Sequence, residues 1–201
     1  MNEPVVFFDV DTQADFMNPT GSLYVRGAET IVSNLQKLMD FARANKIPVL
    51  SSADAHAPDD PSFAEWPPHC VAGTPGQLRI PETSFPSAMV ITNRPGRFEA
   101  PREWVGQFII EKQEYDAGTN VNFDAILESL GRRRFVVFGV ATDYCVRWTA
   151  LGLRKRGMPV DLVTDAIKEI KPEEGRKALE EMKAAGIRLV TTAEVCAPAG
   201  K

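Results

Sequence analysis

The stretch RFVVFGVATDYCVRWTALGLRKRG, residues 134–157, joins the pattern of a buried strand to the pattern of a helix. Residues 134–140 form a short, nearly continuous apolar run, which is typical of a strand covered on both faces. Residues 144–157 form a helical pattern that ends at Gly157, a residue type that often follows a last helical turn. The stretch therefore predicts a strand–turn–helix unit, with Cys145 close to the turn.

The same alternation of strand and helix continues along the chain. It predicts strands at 5–10, 48–54, 88–93, 108–112, 134–140 and 159–166, and helices at 29–46, 122–130, 144–157 and 172–186. Residues 187–195 could add a final strand. We expect one α/β domain over residues 1–201, a three-layer αβα arrangement around a mostly parallel, about six-stranded Rossmann-like sheet.

Composition argues against several classes of protein. The net charge of −4 and the sequence pI of about 5.3 disfavour a nucleic-acid surface and a polybasic membrane contact. No apolar run approaches the roughly 18 residues of a membrane-spanning helix. The three cysteines form an odd number without C-x-x-C spacing, which fits a reducing cytoplasm better than a disulfide framework. We therefore expect a cytoplasmic protein without nucleic-acid or membrane partners.

Chemically useful residues follow several of the predicted strands. Asp11 follows the first strand, Asp54 and His56 end the second, Lys112 ends the fourth, and Cys145 follows the fifth. Open parallel sheets bind ligands beyond the carboxyl ends of their strands. We expect these side chains to meet at one edge of the sheet.

The histidines suggest a metal site. Asp54 and His56 are two residues apart, so in extended backbone their side chains point to the same side. His69, the second of only two histidines, lies across an irregular segment, 55–87, and can fold back toward them. Two imidazoles and a carboxylate suit zinc, iron or manganese. The residues alone leave open a second interpretation, two unrelated histidines in a polar loop.

Cys145 has two interpretations from its position. A cysteine just inside a helix N-terminus faces the positive end of the helix dipole, and a cation such as Lys112 would lower its pKa further. Amides of the same turn could stabilise an oxyanion. Because both histidines are better placed for metal, the base would have to be a carboxylate, and Asp11 is available. The alternative is a buried structural cysteine.

Several motifs together resemble one family. They are DTQADF (11–16), DAH (54–56), WPPHCVAGTPG (66–76), the strand end at Lys112 and GVATDYCVR (139–147). In this order, from about residue 5 to about residue 195, they closely resemble the nicotinamidase branch of the isochorismatase-like cysteine hydrolases.

The resemblance implies a catalytic machinery. Asp11, Lys112 and Cys145 match the family's Asp–Lys–Cys triad. The family usually has a cis peptide at the position of Val140–Ala141, and the amides of Ala141 and Cys145 would then form the oxyanion hole. Asp11 would take the thiol proton, and a thioester on Cys145 would be hydrolysed by water.

The resemblance also implies a metal site and a substrate pocket. Asp54, His56 and His69 match the metal ligands, which hold a divalent ion, with zinc favoured over iron or manganese. Phe16 and Trp66 match the aromatic residues on either side of a pyridine ring. Relatives of this kind commonly form homo-oligomers, so a dimer or tetramer is expected.

The sequence departs from the family pattern at two places. Some relatives have a further histidine ligand after D-x-H, where this chain reads APDDPSF; Ser62 is the nearest match, and Asp60 or water are alternatives. Nicotinamidases typically follow the lysine with a segment ending in a Ser-Gly-Phe-like turn, whereas this chain has KQEYDAGTNVNFDAIL, residues 112–127. The second departure lies near the expected mouth of the site and bears on the substrate.

These observations favour a metal-dependent cysteine amidase that converts nicotinamide to nicotinate and ammonia, a step of NAD salvage. The main alternative is a related cysteine hydrolase acting on another small amide or N-carbamoyl compound. A vinyl-ether hydrolase of the isochorismatase type does not need the cysteine that GVATDYC retains. A binding module without turnover is a third class. A redox role is disfavoured because no resolving cysteine is suitably spaced.

Overall fold

The protein is built around a central parallel sheet. The computed structural model describes residues 4–96 and 98–197. Within these residues the sheet has seven strands, in the order β3-β4-β2-β1-β5-β6-β7, and every neighbouring pair is parallel. The strands are β1 (Val5–Val10), β2 (Val49–Asp54), β3 (Ala88–Ile91), β4 (Gln107–Lys112), β5 (Arg134–Val140), β6 (Val160–Lys168) and β7 (Arg188–Val190). The predicted α/β class is confirmed.

The strand count is one higher than predicted. The additional strand is β7, which pairs only with β6 and falls in the segment 187–195, where the sequence left a strand open. Three residues are too few to show a periodic pattern, so the local sequence does not define this strand.

Six α-helical segments lie between or after the strands of the described chain. They are α1 (Ala14–Met17), α2 (Val32–Ala44), α3 (Phe123–Leu130), α4 (Arg147–Lys155), α5 (Pro172–Ala184) and α6 (Thr192–Val195). The predicted helix at 29–46 begins only at Val32, since Ala28–Ile31 form a tighter 3₁₀ turn. α5 has the proline at its first position and the acidic first turn that the sequence indicated.

The two faces of the sheet carry separate apolar layers. Phe7 of β1 belongs to the layer that includes Leu35 of α2, whereas its neighbour Phe8 belongs to the layer that includes Phe123 of α3. These side chains are almost completely buried. Burying a large apolar side chain of this kind stabilises the fold by about 1.5–3 kcal/mol. The result is the three-layer arrangement that the alternation of elements predicted.

The strand order brings the predicted site residues to one edge. β4, β2, β1 and β5 are consecutive in the sheet, so their carboxyl ends are adjacent. β5 approaches β1 closely there: Gly139 has a φ of +117°, and a Cβ at this position would lie 2.1 Å from the carbonyl oxygen of Val10. Only glycine tolerates both conditions. Among the described residues, no helix has the length and apolar character needed to cross a bilayer.

Candidate active site

Lys112 is the centre of a buried polar cluster at this edge. Its side chain is fully buried at the end of β4. The Nζ atom lies 2.8 Å from Oδ2 of Asp11 and 3.6 Å from Sγ of Cys145, and it also contacts the carboxylate of Asp54. The structure therefore brings together four residues that the sequence placed at separate strand ends.

The charges in this cluster depend on one another. Burial alone would lower the pKa of Lys112, but the carboxylates of Asp11 and Asp54 outweigh it and raise that pKa well above its usual value. Burial raises the pKa of Asp11, and nearby Asp54 adds to this effect, against the opposing influence of Lys112 and a hydrogen bond from Ser52. Lys112 therefore remains an ammonium group, and the raised pKa makes the carboxylate of Asp11 a stronger base than an exposed aspartate.

The environment of Cys145 differs from the sequence expectation. Burial raises the pKa of its thiol well above the usual value, the carboxylates of Asp11 and Asp54 add to this, and Lys112 offsets only part of it. The expected lowering of the pKa is therefore wrong. A second reason is positional: the regular helix α4 begins at Arg147, two residues beyond Cys145. A raised pKa favours the neutral thiol, so Cys145 would need a base before it could act as a nucleophile.

The turn that carries Cys145 is held in place by hydrogen bonds to Asp143. Thr142–Val146 form a wide, π-type turn before α4. The carboxylate of Asp143 in this turn accepts hydrogen bonds from the backbone N–H groups of Ile170 and Lys171, both at 3.0 Å. The peptide bond Val140–Ala141, immediately before the turn, is cis, as the family resemblance implied.

Three side chains converge as potential metal ligands. Nitrogen and oxygen atoms of Asp54, His56 and His69 all lie within 4.8 Å of one another, and all three residues are buried. Oδ2 of Asp54 is 3.6 Å from Nε2 of His56 and 3.8 Å from Nε2 of His69. Two imidazole nitrogens and a carboxylate oxygen form a donor set that suits zinc and similar divalent ions.

The other ring nitrogen of each histidine is already bound. Nδ1 of His69 donates to the carbonyl oxygen of Pro67 at 2.8 Å, which leaves Nε2 as the acceptor of the neutral ring. Nδ1 of His56 lies 2.9 Å from Oδ2 of Asp60. Such outer partners fix the tautomer and orientation of metal-binding histidines. The residues present therefore fit a divalent ion.

Ser62 and Asp60, the candidates for a further ligand, contact each other. Both the backbone N–H and the hydroxyl of Ser62 donate to Oδ1 of Asp60, at 2.9 and 2.6 Å. Although burial opposes the shift, the bonds from Ser62 and His56 lower the pKa of Asp60 to about 2. Ser62 and Asp60 thus form a chain of hydrogen bonds that ends at Nδ1 of His56, and a further metal ligand from Ser62 stays a prediction.

Three side chains that the sequence analysis did not single out hold the site residues in place. Gln13 donates from Nε2 to the carbonyl oxygen of Asp54 at 2.9 Å, and its Oε1 accepts the Asp54 N–H at 2.7 Å. The hydroxyl of Ser52 donates to Oδ1 of Asp11 at 2.6 Å. Asp15 accepts the N–H of Cys70, the residue after His69, at 2.8 Å. Gln13 and Asp15 belong to the DTQADF motif, but a motif does not state which backbone groups its side chains bind.

A small cavity of about 40 Å³ opens beside Cys145. Its lining includes polar groups from Asp11, Asp54 and His69 and the rings of Phe16 and Trp66, the two aromatic residues expected at a substrate. Ala141, predicted for the oxyanion hole, and its neighbour Val140 also line the cavity; the lining residues that were not predicted are Leu23, Tyr115, Tyr144 and Ile170. The potential nucleophile, base and metal site therefore share one aromatic pocket.

Comparison with known proteins agrees with this geometry. The model of the isochorismatase domain family matches residues 5–101 and 97–194, which is nearly the whole chain. The chain belongs to the isochorismatase family. Nicotinamidase from Escherichia coli is 31% identical to it, over 92% of this chain and 93% of that protein.

Similar solved structures have the same fold. Pyrazinamidase of Pyrococcus horikoshii, determined in complex with zinc, is 33% identical with a TM-score of 0.76, and the match covers 93% of this chain and 98% of that one. N-carbamoylsarcosine amidase from Thermoplasma acidophilum is 26% identical with a TM-score of 0.73, over 94% and 96% of the two chains. Amidases with different substrates thus share this architecture.

Proposed function

We propose that this member of the isochorismatase family is a metal-dependent cysteine amidase that hydrolyses nicotinamide to nicotinate and ammonia. The observation that carries the proposal is the shared cavity, in which Cys145 and Asp11 lie beside His69 and Trp66. A thiol with a carboxylate base suits attack on a carboxamide carbon. An aromatic wall beside a cluster of metal-binding groups suits a flat ring that contains a nitrogen atom.

Acylation begins with proton transfer. Asp11 accepts the Sγ proton of Cys145, and the ammonium group of Lys112, 3.6 Å from Sγ, stabilises the resulting thiolate. The thiolate attacks the carboxamide carbon, and the amides of Ala141 and Cys145 stabilise the oxyanion of the tetrahedral intermediate. Asp11 then returns the proton to the departing nitrogen, the C–N bond breaks, and ammonia leaves a thioester on Cys145.

Deacylation uses the same base. Asp11 takes a proton from a water molecule that attacks the thioester carbon, and the C–S bond breaks. The proton passes to the sulfur atom of Cys145, so the neutral thiol is restored and nicotinate is released. Over the full cycle one amide and one water give one carboxylic acid and one ammonia.

Asp54, His56 and His69 would hold the metal ion in this proposal. When bound, a divalent ion such as zinc supplies a Lewis-acidic position for the ring nitrogen of the substrate, which orients the amide toward Cys145. Two of the donors are fixed by Gln13 and Asp60 through the hydrogen bonds described above. The protein thus contributes positioning, while the nucleophile and the base are its own side chains.

Hydrolysis of an N-carbamoyl compound is the second candidate. It is supported by the similarity to N-carbamoylsarcosine amidase, whose 26% identity extends over most of both chains. The aromatic lining from Phe16, Trp66, Tyr115 and Tyr144 favours a ring over an aliphatic carbamoyl group.

An amide panel distinguishes the two candidates. Ammonia release is measured with zinc-loaded protein on nicotinamide, pyrazinamide and N-carbamoylsarcosine, and bound metal is quantified on the same sample. We expect turnover of the two aromatic amides and little release from the carbamoyl compound. The opposite order of kcat/KM would favour the second candidate, and no release from nicotinamide by metal-loaded protein would exclude the first.

The proposal includes a cytoplasmic location for the protein. The three cysteines, Cys70, Cys145 and Cys196, are free thiols, which supports a reducing cytoplasm. There the nicotinate product would feed pyridine nucleotide salvage. Self-association as a dimer or tetramer stays a prediction, and light scattering of the purified protein measures it directly.

A further inference from the structure

Tyr115 lies in the segment after Lys112 that departs from the nicotinamidase pattern. Its hydroxyl oxygen accepts the indole N–H of Trp66 at 3.0 Å. Its ring centroid is 5.3 Å from that of Tyr144, which in turn lies edge-on to Trp66 at 5.3 Å. The three rings thus form one continuous wall of the cavity beside Cys145.

The position of Tyr115 is fixed from both sides along the chain. Two residues before it, Gln113 donates from Nε2 to the carbonyl oxygen of Ala55 at 3.0 Å. Two residues after it, the N–H of Ala117 donates to Oγ1 of Thr149 at 3.3 Å. The tyrosine is still 38% exposed, so it lies at the mouth of the cavity and not at its base. It is therefore an anchored side chain at the point where a substrate enters.

We infer that Tyr115 is a specificity-determining residue that limits the substrate to a flat, single-ring amide without ring substituents. The inference rests on the proposed function and names its substrate class. Two physical effects support it. The hydrogen bond to Trp66 sets the plane of the indole ring, and the bulk of the phenol ring narrows a cavity of only about 40 Å³.

The magnitude of the effect follows from the chemistry of tight apolar pockets. One additional methyl or methylene group changes kcat/KM by about 10–200-fold when a pocket discriminates against it. Loss of a wall that binds substrate and transition state equally raises KM and leaves kcat nearly unchanged. The hydroxyl of Tyr115, which positions Trp66, and its ring, which narrows the cavity, can therefore be tested separately.

Two substitutions separate the hydroxyl from the ring. Tyr115→Phe removes the bond to Trp66 and keeps the bulk, whereas Tyr115→Ala removes both. Val121→Ala is the matched control, because Val121 lies in the same segment, is exposed and does not line the cavity. Zinc-loaded wild type and variants are assayed for ammonia release from nicotinamide and from the four nicotinamides that carry one ring methyl group. Circular dichroism and metal content verify that each variant is folded and loaded.

For Tyr115→Ala we expect kcat/KM for at least one methylnicotinamide, relative to nicotinamide, to rise about tenfold or more. For Tyr115→Phe we expect KM for nicotinamide to rise several-fold with kcat nearly constant and the methyl discrimination largely retained. Val121→Ala should behave as the wild type. A merely structural role of Tyr115 would instead lower kcat on all substrates in parallel.

A double-mutant cycle tests the connection to Trp66. If the hydroxyl acts through the indole N–H, Tyr115→Phe raises KM in the wild type but has no further effect in a Trp66→Phe background. Equal effects in both backgrounds would overturn the claim that Tyr115 positions Trp66. Unchanged methyl discrimination in Tyr115→Ala, with nicotinamide still hydrolysed, would overturn the specificity claim alone. Wild type that hydrolyses none of the aromatic amides would instead contradict the proposed function, and the inference would fall with it.

Discussion

At the scale of single residues, hydrogen bonds from neighbouring side chains fix the positions of the proposed site residues. Asp11 and Cys145 are the proposed reacting groups, but Ser52 orients the first of them through a 2.6 Å hydrogen bond to Oδ1. Gln13 binds both backbone groups of the proposed ligand Asp54. These supporting bonds are buried, so removing one leaves a polar group without a partner.

Ser52→Ala tests the orientation of Asp11. Removing a hydrogen bond to an ionised group costs about 1.5–3 kcal/mol, so we expect kcat to fall about tenfold or more while KM changes little. The matched control is Ser51→Ala on the same strand, because the Ser51 hydroxyl accepts a bond from Gln107 instead. Steady-state kinetics of both variants measure the difference. An equal loss of kcat in the two variants would contradict the role of Ser52.

Gln13→Glu tests the support of Asp54. The substitution keeps the length of the side chain but replaces the amide that donates to the Asp54 carbonyl oxygen with an acid. We expect zinc affinity to fall about 10–100-fold, as for other outer partners of metal sites. Titration against a competing chelator measures it. Gln36→Glu, an exposed position on α2, makes the same charge change and should leave affinity unaltered.

At the scale of elements, the turn between β5 and α4 decides where the nucleophile lies. The sequence predicted the strand and the helix but began the helix three residues early, at Tyr144. Tyr144 has φ −124° and ψ −106°, which are not helical, and no local propensity indicates such a turn. The same error affected the thiol, whose pKa depends on burial and on two carboxylates that come from distant strands.

Asp143→Ala tests how this turn is held. The variant leaves the N–H groups of Ile170 and Lys171 without their acceptor, so we expect a loss of about 1–3 kcal/mol in the free energy of unfolding. Urea denaturation measures it. Asp124→Ala serves as the control, because its carboxylate is 81% exposed and bonds only at the surface. Unfolding free energies that are equal in the two variants would show that Asp143 does not anchor the turn.

At the scale of the whole molecule, the alternating strands and helices made the fold class predictable. The convergence of strand ends also followed from the sequence, because parallel strands align their carboxyl ends at one edge. The order of the strands in the sheet did not follow, since strand order leaves no local signal, and the three-residue β7 was only left open as a final strand within 187–195. Tyr115 was missed for a similar reason: its partner Trp66 lies 49 positions away in the sequence.

Removing the metal tests how the site is linked to the stability of the fold. Zinc at about 100 times its dissociation constant would stabilise the folded state by about 2.7 kcal/mol. For a chain of this size that corresponds to about 5–11 °C in Tm. We expect a chelator to lower the Tm of zinc-loaded wild type by this amount and to leave His56→Ala unchanged, as measured by calorimetry. An unchanged Tm in wild type that has demonstrably lost its zinc would contradict a metal site at His56.

The central claim is that Cys145 is the nucleophile of an amidase. The most direct measurement is ammonia release from nicotinamide by zinc-loaded wild type and Cys145→Ala, with fold and metal content verified for both. Removal of a catalytic nucleophile typically lowers the rate by a factor of about 10⁴–10⁶. We therefore predict turnover by the wild type and a rate of ammonia release at least about 10⁴-fold lower in the variant. Activity of Cys145→Ala within tenfold of the wild type would contradict the account.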